Sequence, residues 1–166
     1  MLFHYCPLCR SELVEATIDG HVRLCCSNES CEYCQWNNPT PVVAALVEYQ
    51  NQIVLAKTKR ASTAGWSMIA GYLEAGEVPE VAIAREIKEE IALDTDALHF
   101  LGHYSNVPNN QLLIVYFAQA SGELIKGEEL SEITTVSLEQ AVRYIESKYR
   151  ITHQALETLL ERYEQF

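Results

Sequence analysis

From residue 42 onward, hydrophobic positions fall into short runs divided by turn residues, a spacing that predicts strands with helices between them. Residues 42–48 and 52–57 are apolar and rich in β-branched side chains, and Tyr49-Gln50-Asn51 reads as the turn of a β-hairpin. Further strands are predicted at 66–69, 97–104 and 112–120. A helix begins after Gly76, with Pro79 in its first turn, and runs to Ala92. Two more close the chain. One opens at Ser137 with Gln140 as a capping-box partner, and one covers about 152–163. This alternation predicts an α/β (α+β) layered domain. The longest apolar runs, 41–47 and 112–118, have seven residues each against the roughly 20 needed to cross a bilayer, so no membrane partner is expected.

The chain has 166 residues, 48% of them hydrophobic and 21% charged, enough for one catalytic-size domain with a small appendage. Twelve Lys and Arg against 23 Asp and Glu give a net charge of −11. So acidic a surface repels phosphate backbones unless a metal cation intervenes, and broad nucleic-acid binding is not expected. The first ten residues hold a paired-cysteine motif and no apolar secretory segment, which points to a reducing, cytoplasmic setting.

All six cysteines, Cys6, Cys9, Cys25, Cys26, Cys31 and Cys34, lie within the first 34 residues. Cys6-Pro7-Leu8-Cys9 is a two-residue-spaced pair, and a second group follows at a distance close to that of zinc ribbons. Cys25, Cys26, Cys31 and Cys34 compete for two places there, and we take Cys26 and Cys31 as the expected ligands beside Cys6 and Cys9. Reduced buried thiols or a disulfide framework are the non-metal alternatives. A segment this short and poor in large apolar side chains gains its folding energy from a metal, so the zinc is expected to be structural, with four sulfurs leaving no open position for water. Asn37-Asn38-Pro39-Thr40-Pro41 reads as a stiff linker. The expected organisation is therefore a ribbon over 1–38 and a second domain over 39–166.

The helix after Gly76 carries the strongest chemical signal. At about 100° per residue, Glu89 and Glu90 lie about −60° and +40° from Glu86, while Ile83, Ala84, Ile87 and Ile91 gather on another face. Like charges at this spacing repel, and a divalent cation reverses that penalty. Clustered hard oxygens suit Mg²⁺ or Mn²⁺, which complete their shells with water and phosphate oxygens. Arg85, four residues before Glu89, can pin a carboxylate. An ordinary solvated acidic face is the plain alternative.

From Gly71 to Leu93 the sequence GYLEAGEVPEVAIAREIKEEIAL resembles the 23-residue Nudix box. Gly71, Glu77, Arg85, Glu86, Ile87, Glu89, Glu90 and Leu93 are in register, and Ala92 replaces the late glycine that ends the helix. The resemblance implies an α/β/α sandwich and a hydrolase that cleaves a nucleoside diphosphate linked to another group by water attack on phosphorus. It implies that Glu86, Glu89 and Glu90 ligate the catalytic Mg²⁺ or Mn²⁺ or activate the water, that the Gly71 carbonyl completes the site, and that Arg85 and Glu77 orient the carboxylates. A further acid from a later loop is drawn from Glu128, Glu129 and Glu132, with Glu129 favoured.

The cysteine ribbon before the box resembles the zinc-ribbon Nudix branch that includes NADH pyrophosphatases, where an aromatic residue follows the last ribbon cysteine by five positions. Trp36 follows Cys31 by five, which supports Cys31 as the fourth ligand. The Ser-Gln-Pro-Trp-Pro-Phe-Pro-x-Ser array of NADH pyrophosphatases is absent from the corresponding stretch, 102–111. The expected substrate is thus a small nucleotide such as NAD(H), ADP-ribose or a related compound, and the ribbon is expected to be structural or to help pair subunits as a homodimer. Trp66 and Tyr72 flank the box and could stack on a base, although core packing is the commoner role for such aromatics. His103 and Tyr104 could touch substrate; neither is assigned a catalytic role. The alternative function is a non-catalytic nucleotide sensor or protein-interaction module on the same fold; the intact carboxylate set favours the hydrolase.

Overall fold

The computed structural model describes residues 3–59, 65–145 and 150–166. The chain divides into two compact units, Met1–Asn38 and Pro39–Phe166. In the first, β1 (Leu13–Ile18), β2 (His21–Cys26) and β3 (Cys34–Gln35) form an antiparallel sheet in the order β1-β2-β3. Asp19 and Gly20, both at positive φ, make the tight turn between β1 and β2. Among the described residues only Cys6 and Leu13 are buried apolar side chains in this unit, so burial supplies little of its stability.

The second unit begins with β4 (Thr40–Tyr49) and β5 (Gln52–Thr58), then β6 (Ile69–Tyr72), α1 (Pro79–Ile91), β7 (Asp94–Asn106), β8 (Gln111–Ser121), β9 (Leu130–Val136), α2 (Leu138–Tyr144) and α3 (Arg150–Arg162). The sheet order is β7-β8-β4-β5-β9, with β6 also paired to β4. β4 runs parallel to β8, and its other edge is shared, Val42–Ala45 pairing with β6 and Val47–Tyr49 with β5. The predicted hairpin is present. Gln50 and Asn51 both have φ near +50° to +60°, the mirror-image turn whose twist suits paired strands.

Core packing explains why β4 is continuously apolar instead of alternating. Val42, Ala44 and Leu46 face one core with Phe117, Leu156 and Leu159, which places α2 and α3 on that side. Val43, Ala45 and Val47 face the other with Ile83, Ile87 and Ile91 of α1. Each fully buried branched side chain contributes about 1.5–3 kcal/mol through water exclusion. The result is a sheet with helices on both faces, the expected α/β/α sandwich. α2 opens with the predicted capping box, Ser137 and Gln140 satisfying each other's backbone N–H groups.

Some boundaries differ from expectation. The strand predicted at 66–69 lies at Ile69–Tyr72, because Ser67 makes only an isolated bridge to Ala56 while Trp66 turns to pack against the core and under the Lys57 ammonium. β9 and the three ribbon strands escape hydrophobic patterning altogether. β9 alternates weakly through Ser131, Glu132, Thr134 and Thr135, and is held by pairing with β5.

Candidate active site and cysteine cluster

Gly71 sits on β6 opposite Val43, on the side of the sheet that faces α1. A Cβ at this position would coincide with the Glu86 carboxyl, so the missing side chain is what lets Glu86 lie against the strand. Ile83, Ile87 and Ile91 bury one stripe of α1 with Glu90 buried beside it, while Glu86 and Glu89 lie progressively further out. Glu86 is mostly covered, its side chain 14% exposed, whereas that of Glu89 is 60% exposed.

Arg85 organises this surface. Its Nε and Nη2 donate to the two oxygens of Glu77 at 2.9 and 3.0 Å. Its Nη1 donates to Glu86 at 2.7 Å and to Glu89 at 3.2 Å. The bidentate bond holds the Glu77 carboxyl below its ordinary range, and the paired carboxylates raise the guanidinium. Every box residue expected to orient carboxylates thus touches another member of the set.

Glu90 is buried, and its carboxyl is pushed up to about 8, first by burial and then by the charges of Glu86, Glu129 and Glu89. Among the described residues no cation or hydrogen-bond donor answers it. A buried carboxyl that feels the charges of three other carboxylates has the donor chemistry of a divalent-cation site, while among the described residues only the four cysteines bring their ligand atoms within 4.8 Å of one another. Of the three loop acids considered, Glu129 is the one whose charge reaches Glu90, while Glu132 is engaged by Lys57 at 3.1 Å.

The loop that carries Glu129 docks on the end of α1, a connection that sequence reading missed. Ile125 N–H donates to Ile91 O at 3.1 Å and Gly127 N–H to Glu90 O at 2.7 Å, satisfying carbonyls left open at the helix terminus. A Cβ on Gly127 would lie 2.7 and 2.8 Å from the Glu89 and Glu90 carbonyl oxygens. The sequence signal was the glycine immediately before the acidic pair. Ala92, in place of the late glycine, still ends α1 in the left-handed conformation at φ 60°.

Of the aromatics singled out earlier, Tyr104 donates to Thr158 at 3.0 Å and His103 packs on Phe100. Tyr72 remains 57% exposed at the edge of the box. On the sheet face opposite α1 lies a cavity of about 820 Å³ whose lining includes Ser67, Met68, Ala70, Asn106, Asn109 and Gln154.

In the first unit, the sulfurs of Cys6, Cys9, Cys26 and Cys31 all lie within 4.8 Å of one another. Cys6 and Cys31 are 3.7 Å apart and Cys9 and Cys26 3.3 Å, near the ~3.8 Å edge of a tetrahedron with 2.3 Å zinc–sulfur arms. Hydrogen bonds from Ser11 lower the Cys9 thiol to about 6, whereas desolvation pushes its neighbour Cys26 up to about 12. The four sulfurs fit zinc. Cys25 and Cys34 stand outside the cluster and form a disulfide with each other.

A NUDIX domain model matches residues 38–156. The NAD-capped RNA hydrolase NudC of Vibrio atlanticus is 28% identical over 132 residues, covering 77% of this chain and 47% of the relative. The protein of the same name from Photobacterium profundum is 29% identical over 130 residues, with the same coverages. The chain therefore spans about half the length of the curated relatives it matches. A crystal structure of a NUDIX hydrolase from Nitrosomonas europaea superposes with a TM-score of 0.81 at 22% identity, covering 98% of this chain and 93% of that one. One of an ADP compounds hydrolase gives a TM-score of 0.66 at 17% identity, covering 93% and 92%. These two likenesses bear on fold, and the family model supplies the membership: the chain belongs to the NUDIX domain family.

Proposed function

We propose that this protein is a metal-dependent pyrophosphohydrolase that cleaves a nucleoside diphosphate linked to another moiety, with water attacking phosphorus. The observation that carries the reading is Glu90, buried among Glu86, Glu89 and Glu129 with no cation from the described residues beside it. Those four carboxylates, with the Gly71 carbonyl, would hold Mg²⁺ or Mn²⁺. Such a metal polarises a phosphoryl oxygen, neutralises developing charge and lowers the pKa of bound water. Arg85 keeps Glu86 and Glu89 convergent, and Glu77 fixes Arg85 through both of its oxygens. The cysteine cluster would hold one structural Zn²⁺ through Cys6, Cys9, Cys26 and Cys31.

The cavity opposite α1 supports a nucleoside on the far side of the sheet. Ala70 lines it, and the next residue, Gly71, stands against Glu86, so one step along β6 joins cavity and acidic cluster. Asn109 and Gln154 offer amide donors and acceptors suited to a base edge, while the Asn106 amide donates to Gln111 at 2.9 Å. NudC relatives are named for NAD-capped RNA, which supports an NAD(H)- or ADP-ribose-like substrate. The net charge of −11 favours the small nucleotide over extended RNA.

The test is turnover of NADH, NAD⁺, ADP-ribose, diadenosine polyphosphates and nucleoside triphosphates with Mg²⁺ or Mn²⁺, beside Glu89→Gln. Cleavage of the diphosphate bond that falls about a hundredfold or more in the variant is the expected result. Nucleotide binding without cleavage would replace the hydrolase with a sensor.

A further inference from the structure

Cys25 and Cys34 are the two cysteines that the zinc reading leaves unused. They face each other directly across antiparallel β2 and β3, with Leu24 opposite Gln35 as the neighbouring pair and 4.1 Å between the cysteine Cα atoms. Both side chains are only partly buried. Successive side chains on a strand point to opposite faces. Cys26 therefore reaches Cys9 while Cys25, its immediate neighbour, is turned away.

The segment between the two is short and chemically specific. The two cysteines are nine positions apart in sequence, and the segment between them contains both Cys26 and Cys31, every sulfur that the second half of the ribbon gives to the cluster. Cys26 N–H donates to Tyr33 O at 2.8 Å and Cys31 N–H to Asn28 O at 2.8 Å, so the loop is already folded around these ligands. Cys34 also completes Cys31-Glu32-Tyr33-Cys34, the spacing that paired zinc ligands use. As a free thiol it would be a rival to Cys26; bonded to Cys25 it is not.

We propose that Cys25 and Cys34 form a reversible dithiol–disulfide site whose oxidation state sets how firmly the adjacent four-cysteine cluster retains its metal. The inference rests on the reading of that cluster as a zinc site. The oxidant is a low-molecular-weight disulfide. One cysteine thiolate attacks a sulfur of the reagent, forming a mixed disulfide and releasing the first small thiol. The second cysteine then attacks the bonded cysteine sulfur and expels the second small thiol. Two cysteine thiols and one small disulfide become one cystine and two small thiols, with two electrons passing to the reagent and both protons ending on the released thiols. Closing the loop reduces the freedom that Cys26 and Cys31 gain when metal leaves, and it removes the competing sulfur.

The experiment loads the full chain with zinc, equilibrates it in oxidised or reduced glutathione buffer, and follows zinc release to a chromogenic chelator, with alkylation and peptide mass mapping alongside. Oxidised wild type is expected to carry a Cys25–Cys34 link and to release zinc about tenfold more slowly than reduced wild type. Cys25→Ser and Cys34→Ser are each expected to bind one zinc and to release it at a rate that no longer differs between the two buffers. Equal release from oxidised and reduced wild type overturns the switch while leaving the zinc site standing. A link mapped to Cys9 and Cys26, or loss of zinc stoichiometry in Cys34→Ser, overturns it too. Absence of zinc from wild type in both buffers instead refutes the zinc reading, and the switch falls with it.

Discussion

Ala92 shows how much one side chain can deviate from its family pattern without disturbing the clustered acidic residues of α1. It holds φ 60° at the end of α1, where its N–H still donates to Lys88 O at 3.1 Å. A β-carbon in the left-handed region costs about 1–2 kcal/mol that glycine does not incur. Ala92→Gly is therefore expected to stabilise the protein by about 0.5–1 kcal/mol in denaturant titration, net of the extra freedom of glycine in the unfolded chain, with turnover unchanged. A loss of stability would mean that the Ala92 methyl contributes packing that outweighs the backbone strain. The box residues were readable because their chemistry depends on spacing along one helix: Arg85, Glu86, Glu89 and Glu90 converge whatever the rest of the chain does. Gly127 was not, because its role depends on meeting the end of α1 from far along the chain, a contact that no local pattern encodes.

At the scale of elements, the informative pair is α1 and the loop that caps it. Gly127 brings its N–H to Glu90 O, and the same loop delivers Glu129 to the Glu90 carboxyl. Gly127→Ala would push a methyl against two carbonyl oxygens, so the loop must retreat from the helix end. The expected cost is roughly 1–3 kcal/mol of stability, together with weaker Mn²⁺ binding by titration calorimetry, whereas Glu128→Gln leaves both near wild type. Unchanged Mn²⁺ affinity in Gly127→Ala would separate Glu129 from the metal. Strands followed the same division between legible and hidden. β4 was visible as an apolar run because both of its faces are covered. β9 was hidden because Leu130 and Ile133 are separated by polar residues and its place depends on β5. The capping box of α2 was visible because Ser137 and Gln140 are three residues apart.

For the molecule as a whole, the raised Glu90 carboxyl couples global stability to pH. The Glu90 carboxyl, ordinarily at 4.5, titrates at about 8 in the folded chain, so between these values the folded state binds more protons than the unfolded one. The Glu90 contribution to metal-free stability is expected to fall as pH rises through that window, by roughly 5 kcal/mol in all, while the lowered Glu77 carboxyl costs stability as pH falls below the ordinary carboxylate range. Saturating Mg²⁺ should offset the loss, and Glu90→Gln should remove the dependence without metal. Thermal unfolding from pH 4.5 to 8.5, with and without Mg²⁺, checks this; stability that rises across the window would contradict it.

The parallel pairing of β4 with β8 bears on how the chain reaches this state. Thr40 stands beside Gln111, 71 positions later (111 − 40), whereas β4 meets β5 across a two-residue turn. The hairpin can close within microseconds, but the parallel pair must first bring together the ends of a long segment that contains α1 and the whole acidic box. Folding speed should accordingly respond to substitutions at Val43 and Val115, buried on the two strands of that seam, more than to changes in the hairpin turn. Glu129 lies beyond β8 in the chain, so it meets Glu90 only after that pairing, when the following loop docks on the end of α1, and a divalent cation present during refolding is expected to favour that late docking.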